Sequence, residues 1–196
     1  YIGIMNESAV SNSDRLKVQE EMTDPNDLEV SDVESFRQAL LEKQGPRDHA
    51  IATIMAYGGL RISETVNLTL SDVLIDFREI IVQDGKGAKR RTVFMNDKIA
   101  NSIREYLKIR QSDSPYLFPS RQSQKISRFH VNRIFNAYSD TITPHKLRHF
   151  YCSYSQNYAG LSLSEVANQA GHKSPQTTMR YTHPSKAQLL EKINKM

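Results

Sequence analysis

The chain has a single cysteine, Cys152, and no tryptophan. A lone cysteine cannot close an internal disulfide, which excludes a small secreted fold held by bridges. Its neighbours Phe150, Tyr151 and Tyr154 point to a buried thiol rather than a nucleophile. No apolar run approaches the roughly 18–20 residues that span a bilayer. Glycine and proline are sparse, 8 and 7 of 196 residues, and no repeat or low-complexity tract is visible. Several chemical signatures are also missing. His145 and His149 stand four apart without the glutamate of HExxH, and no cysteine pair exists, so a zinc site is not expected. There is no GxSxG elbow and no GxxxxGK[ST] loop, and a lone GKG is no dinucleotide fingerprint. A cytoplasmic protein with no metal or cofactor is the simplest reading.

What is present is charge, unevenly spread. The net charge of +4 conceals −6 over residues 1–45 and +10 over residues 46–196. A basic body of this size suggests a polyanionic partner, nucleic acid first. Residues 1–27 are polar, acidic and weakly periodic, and read as a linker or arm.

The rest reads as mainly helical with one small sheet, an α+β arrangement. Ser31 and Glu34 form a capping box for a helix through Leu41, which Gly45-Pro46 ends. Ala50, Ile51, Ile54 and Met55 mark a second helix stopping at Gly58-Gly59. A short third helix begins near Arg61 and carries Ile62 and Val66. The period then changes. Residues 73–84 and 90–95 read as two or three antiparallel strands, with DGKGAK (84–89) as a hairpin tip. Asn96 caps the next helix, whose stripe is Ile99, Ile103, Tyr106 and Leu107. Residues 127–138 form another, with Val131, Ile134, Phe135 and Tyr138 inward. Thr143-Pro144 starts a helix, and Leu161-Ser162-x-x-Glu165-Val166 combines a capping box with a hydrophobic staple before the stop at Gly171. Ser174-Pro175 opens one more, with Tyr181 near its end.

Four segments carry chemistry. In PHKLRHF (144–150), His145 and Arg148 share a face near a helix start, an arrangement suited to an anion. In GGLRISE (58–64), Arg61 enters a helix against the macrodipole, and Glu64 is placed to orient it. The hairpin tip and its flank gather Lys86, Lys89, Arg90 and Arg91, which suits a phosphate backbone. GHKSPQTTMRYTH (171–183) adds His172 and Tyr181. Guanidinium groups bind phosphate oxygens bidentately and stay charged. Cations held in place stabilise a pentacoordinate phosphorane. A tyrosine is a covalent nucleophile, a histidine accepts a proton and a lysine donates one. Together they make a metal-free set for phosphodiester transesterification. Tyr151, Tyr154 and Tyr158 read as packing or surface aromatics.

The order Arg61, Lys86, His145-x-x-Arg148, His172, Tyr181, in the strings GLRISE, GKGAKRR, TPHKLRHFYCS and GHKSPQTTMRYTH, resembles the tyrosine recombinase (phage integrase) family over about residues 28–185. The resemblance implies the DNA breaking–rejoining catalytic fold and a role for each residue. Tyr181 attacks the scissile phosphate to give a 3′-phosphotyrosyl link. Arg61, Arg148 and His172 hold the phosphate, Lys86 protonates the 5′-hydroxyl, His145 is base or orienting group, and Glu64 supports Arg61. Lys89, Arg90, Arg91, Arg128, Lys146 and Lys173 are expected DNA contacts. The partner implied is a double-stranded recombination site, engaged by a homo-tetramer that is monomeric when free. Residues 1–27 would link to an N-terminal core-binding domain not contained in the chain, and residues 186–196 would dock on a neighbouring subunit. A bacterial, phage or mobile-element source fits. Two other functions compete. A type IB topoisomerase would relax any supercoiled plasmid, and a non-catalytic DNA-binding module would bind with salt dependence but never cleave.

Overall fold

The computed structural model describes residues 28–83 and 90–172. Among these residues seven α-helices and three strands follow in order: α1 (Val30–Lys43), α2 (Pro46–Gly58), α3 (Ile62–Thr65), β1 (Val73–Leu74), β2 (Glu79–Gln83), β3 (Arg90–Phe94), α4 (Asp97–Ile109), α5 (Arg128–Tyr138), α6 (Pro144–Asn157) and α7 (Leu163–Ala170). The mainly helical fold with a small antiparallel sheet is as the sequence implies. The expected tip at 84–89, the helix from Ser174-Pro175, Lys86, Lys89, Lys173 and Tyr181 lie outside the described residues.

The centre is α2. Every residue from Ala50 to Gly58 is buried, so this helix is apolar all round rather than striped, as a core helix must be. It packs against α1, α4 and α6. Small residues Ala50, Ala52, Ala56 and Gly58 alternate with Ile51, Ile54 and Met55, which lets three helices approach it at once. Tyr57 near its C-terminus meets Phe150 and Tyr154 of α6 edge-on, with ring centroids 6.0 and 5.8 Å apart.

One cap differs from expectation. The Ser31–Glu34 box does not form. The helix starts at Val30, and the Asp32 carboxylate accepts from the Glu29 N–H at 3.3 Å. Glu34 instead accepts from the Tyr57 hydroxyl and from Arg37 and Lys98, each cation at 2.5 Å. Two cations and a phenol hold a carboxylate better than one exposed amide. The caps expected at Asn96, Thr143 and Ser162 form, and Ser127 adds one that was not expected. Asn96, Ser127, Thr143 and Ser162 each accept from the amide three residues on, and Leu161 packs on the cluster containing Val166.

The sheet runs β1-β2-β3, antiparallel throughout. Its register pairs Val73 with Ile80, Ile80 with Val93, and Val82 with Arg91. Ile80, Val82 and Val93 are buried, so the face that enters the core is fixed. Arg91, two residues before Val93, stands on that same face. The long connection between α4 and α5 is folded by Arg110, which donates to the carbonyls of Ser112, Ser114, Tyr116 and Leu117.

Candidate active site

Gly59 is where the site begins. α2 ends there with φ +64°, and a Cβ would run into the Tyr151 ring. The tight reversal aims the Gly59 carbonyl into the core, where Arg148 of α6 donates to it from Nη1 at 2.5 Å. Arg148 is 7% exposed. Its Nη2 is buried and has no hydrogen-bond partner among the described residues. Burial first, and the charge of Arg61 second, lower its pKa to about 10. A buried guanidinium with an unused donor is costly in a folded protein.

The same reversal delivers Arg61 as the residue before α3. Glu64, three residues on, accepts from the Arg61 backbone N–H at 2.7 Å and from its Nη1 at 2.9 Å. Glu64 thus holds both the backbone and the side chain of Arg61. It also resolves the conflict of a cation at a helix start, because the carboxylate sits at the same end. Arg61 Nη2 donates to the Gly171 carbonyl at 3.2 Å. Gly171, with φ +68°, ends α7, and the His172 N–H closes the turn onto the Ala167 carbonyl at 2.9 Å. The His172 ring is thus held beside the arginines. Burial, then the charges of Arg148, Arg61 and Arg91, push its pKa down to about 4. At neutral pH His172 is a neutral imidazole.

Of the expected site residues, the structure brings together Arg61, Glu64, Arg148 and His172. His145 is exposed on the first turn of α6, and its Nε2 lies 2.6 Å from Nε2 of His149. The sequence shows these two histidines one turn apart without assigning His149 a part. Burial and the charge of Arg148 also affect Cys152, whose thiol is pushed up to about 11, chiefly by burial. It is an inert core thiol, as expected. Tyr151 is a buried core ring and Tyr158 a surface one, 70% exposed.

Arg91 is placed differently from the expected backbone contact. Its guanidinium grips Glu64 with both arms, Nη1 to Oε1 at 2.8 Å and Nη2 to Oε2 at 2.9 Å, and donates from Nε to the Gln169 carbonyl at 3.0 Å. Burial works to raise the Glu64 pKa. The hydrogen bonds and charge of Arg91, then those of Arg61, more than offset it and hold the carboxyl below its usual range. The reason for the difference is the register. The strand period puts Arg91 on the inner face with Val93, so its charge must be met from within. Arg90 and Arg128 are exposed and Lys146 is half-buried. Arg61 and Arg91 bond to the Glu64 carboxylate and Arg148 feels its charge, so three guanidinium groups share one carboxylate, an excess of positive charge that favours an anion.

Comparisons with known proteins identify the family. The model of the phage integrase family matches residues 26–188. The TnP I resolvase of Bacillus thuringiensis is 41% identical over 97% of this chain and 69% of its own length. Tyrosine recombinase XerC of Caldanaerobacter subterraneus subsp. tengcongensis is 33% identical over 83% of this chain, which spans 49% of that relative. The crystal structure of XerA recombinase superposes with a TM-score of 0.74 at 28% identity, over 86% of this chain and 64% of that one. The Tn1549 transposon integrase, solved with a circular intermediate DNA, shares the fold with a TM-score of 0.72 at 20% identity, over 89% and 67% of the two chains. The basic anion site on this fold therefore has a family, and the chain belongs to it: it is a tyrosine recombinase catalytic region of the phage integrase family.

Proposed function

We propose that the protein cuts and rejoins duplex DNA at a specific site through a covalent phosphotyrosyl intermediate. The observation that carries this reading is the buried Arg148 Nη2 with no partner among the described residues, beside Arg61 and neutral His172. A scissile phosphate supplies what that donor lacks. Arg148 and Arg61 take the non-bridging oxygens, and their charge is worth most as the phosphorane develops. Neutral His172 donates one further hydrogen bond without adding charge.

In the step itself the Tyr181 hydroxyl oxygen attacks phosphorus as the bond to the 5′-oxygen breaks. His145 takes or orients the phenolic proton, and Lys86 gives a proton to the leaving 5′-oxygen. Rejoining reverses each transfer. Lys89, Arg90, Arg128, Lys146 and Lys173 bind the DNA backbone, and two duplexes meet in a homo-tetramer. Residues 28–185 form the catalytic unit, 1–27 an arm toward a core-binding domain, and 186–196 a tail that docks on a neighbour. The chain spans about half the length of the XerC relative it matches. The name resolvase on the Bacillus relative favours resolution of joined DNA molecules over phage integration as the biological setting. The family relatives favour neither of the two competing functions, topoisomerase or non-catalytic binder.

The test is a nicked duplex that traps the intermediate, built on the DNA found covalently attached to the protein. The native chain gives a band that survives denaturing electrophoresis. Tyr181→Phe still binds but gives none. An adduct in that variant overturns the assignment of the nucleophile.

A further inference from the structure

Arg91 occupies the inner face of β3, opposite Val82 and two residues before Val93. An inward arginine in a three-stranded sheet needs a partner, and this one has two. Glu64 of α3 takes its fork, and the Gln169 carbonyl at the end of α7 takes Nε. The pair is well shielded, with the Arg91 side chain 17% exposed and Glu64 11%. Gly171 completes the fit. A Cβ there would stand 2.7 Å from the Arg91 guanidinium carbon, so only glycine admits the cation against the turn that presents His172. A second tie runs alongside, from the Phe94 N–H to the Gln169 side-chain oxygen at 3.0 Å. One guanidinium therefore touches three pieces of the site. It lies on the strand leaving the 84–89 segment, it holds the carboxylate that orients Arg61, and it braces the turn before His172.

We propose that Arg91 is a positioning residue for strand cleavage: it locks Glu64, and through Glu64 Arg61, to the α7 turn and to the strand that follows Lys86. This rests on the recombinase reading given above. Arg91 does not touch the phosphate. It fixes where the phosphate-binding groups stand, and a displacement of about 1 Å in such groups costs on the order of a hundredfold in rate. Lysine is no substitute, since one ammonium cannot make the two parallel bonds that the fork makes to a carboxylate.

Three readouts on the whole chain test the proposal, using Arg91→Gln and the milder Arg91→Lys. The first is the salt dependence of binding to a short mixed-sequence duplex. A phosphate contact contributes a slope of about 0.9 in log K against log salt. The positioning role predicts an unchanged slope in Arg91→Gln, and a fall of about that size overturns it. The second is the NMR resonance of the Arg61 Nε–H and of the His172 ring. Both are expected to move in Arg91→Lys as well as Arg91→Gln, although the lysine keeps the charge. Resonances unmoved in Arg91→Lys reduce Arg91 to a point charge and overturn the proposal. The third is single-turnover adduct formation on the nicked duplex. About a 10–100-fold loss is expected in each variant. The pair Arg91→Gln with Glu64→Gln should be no slower than the slower single variant, because both act through one contact. Losses that multiply overturn the shared route. The first two readouts need no catalysis. If the native chain forms no adduct, the recombinase reading fails, while slope and resonances still decide the place of Arg91.

Discussion

Arg148 is held in the folded protein at the expense of stability. It makes a hydrogen bond to Gly59 and leaves Nη2 buried without a partner among the described residues. An apolar side chain of similar volume carries none of the desolvation cost of a buried charge with an unused donor, and the Glu64 carboxylate keeps Arg61 and Arg91 as partners without it. Arg148→Met is accordingly expected to raise the urea midpoint of the free protein while abolishing adduct formation. A lower midpoint would show that the Gly59 contact outweighs the buried charge. His172 gives a second expectation at this scale. Its pKa lies near 4 chiefly through burial and then through the neighbouring guanidinium groups. A bound phosphodiester neutralises those charges, so NMR titration should find the His172 pKa raised by a nicked duplex that carries its site. A pKa unchanged by the DNA would place the phosphate elsewhere.

Among the elements, the turn from α2 to α3 matters most, because one reversal sets both arginines. Gly59 has a positive φ and no room for a Cβ beside Tyr151. Gly59→Ala should cost more than the roughly 1 kcal/mol of an ordinary glycine-to-alanine strain. It should also impair cleavage beyond its effect on stability, since the displaced carbonyl is the anchor of Arg148. Urea denaturation with single-turnover cleavage measures the two effects separately. This turn was legible in the sequence as Gly58-Gly59, and so were the strand pair and the caps at Asn96, Thr143 and Ser162. Local signals specify local structure. The α1 start was not legible, because Glu34 is claimed by Tyr57 and Lys98, partners distant in the chain. Nor was the Glu64–Arg91 fork, which joins residues 27 apart. Its signal was nevertheless there: Val93 fixes the inner face of β3, and the period of two carries it back to Arg91. Read without that register, a run of basic residues beside a hairpin tip looks uniformly like a DNA contact.

Over the whole molecule, charge and burial set the response to acid. His49 and His172 both have pKa values pushed down to about 4, each chiefly by burial. An unfolded histidine titrates near 6.5. Between those values the unfolded chain binds more protons, so stability falls as pH drops from about 6.5 toward 4. Glu34 and Glu64, held below the usual carboxylate range in the fold, add to the loss at still lower pH. The urea midpoint should therefore be lower at pH 5 than at pH 7, and an equal or higher midpoint would contradict the buried, neutral state of the two histidines. The functional account rests on the whole chain as well, since Arg61, Lys86, His145, Arg148, His172 and Tyr181 come from widely separated segments. Its most direct measurement is mass spectrometry of the tryptic digest of the trapped protein–DNA complex after nuclease treatment. The account predicts a nucleotide linked through phosphate to Tyr181 in the peptide 181–186. A nucleotide on any other residue contradicts it.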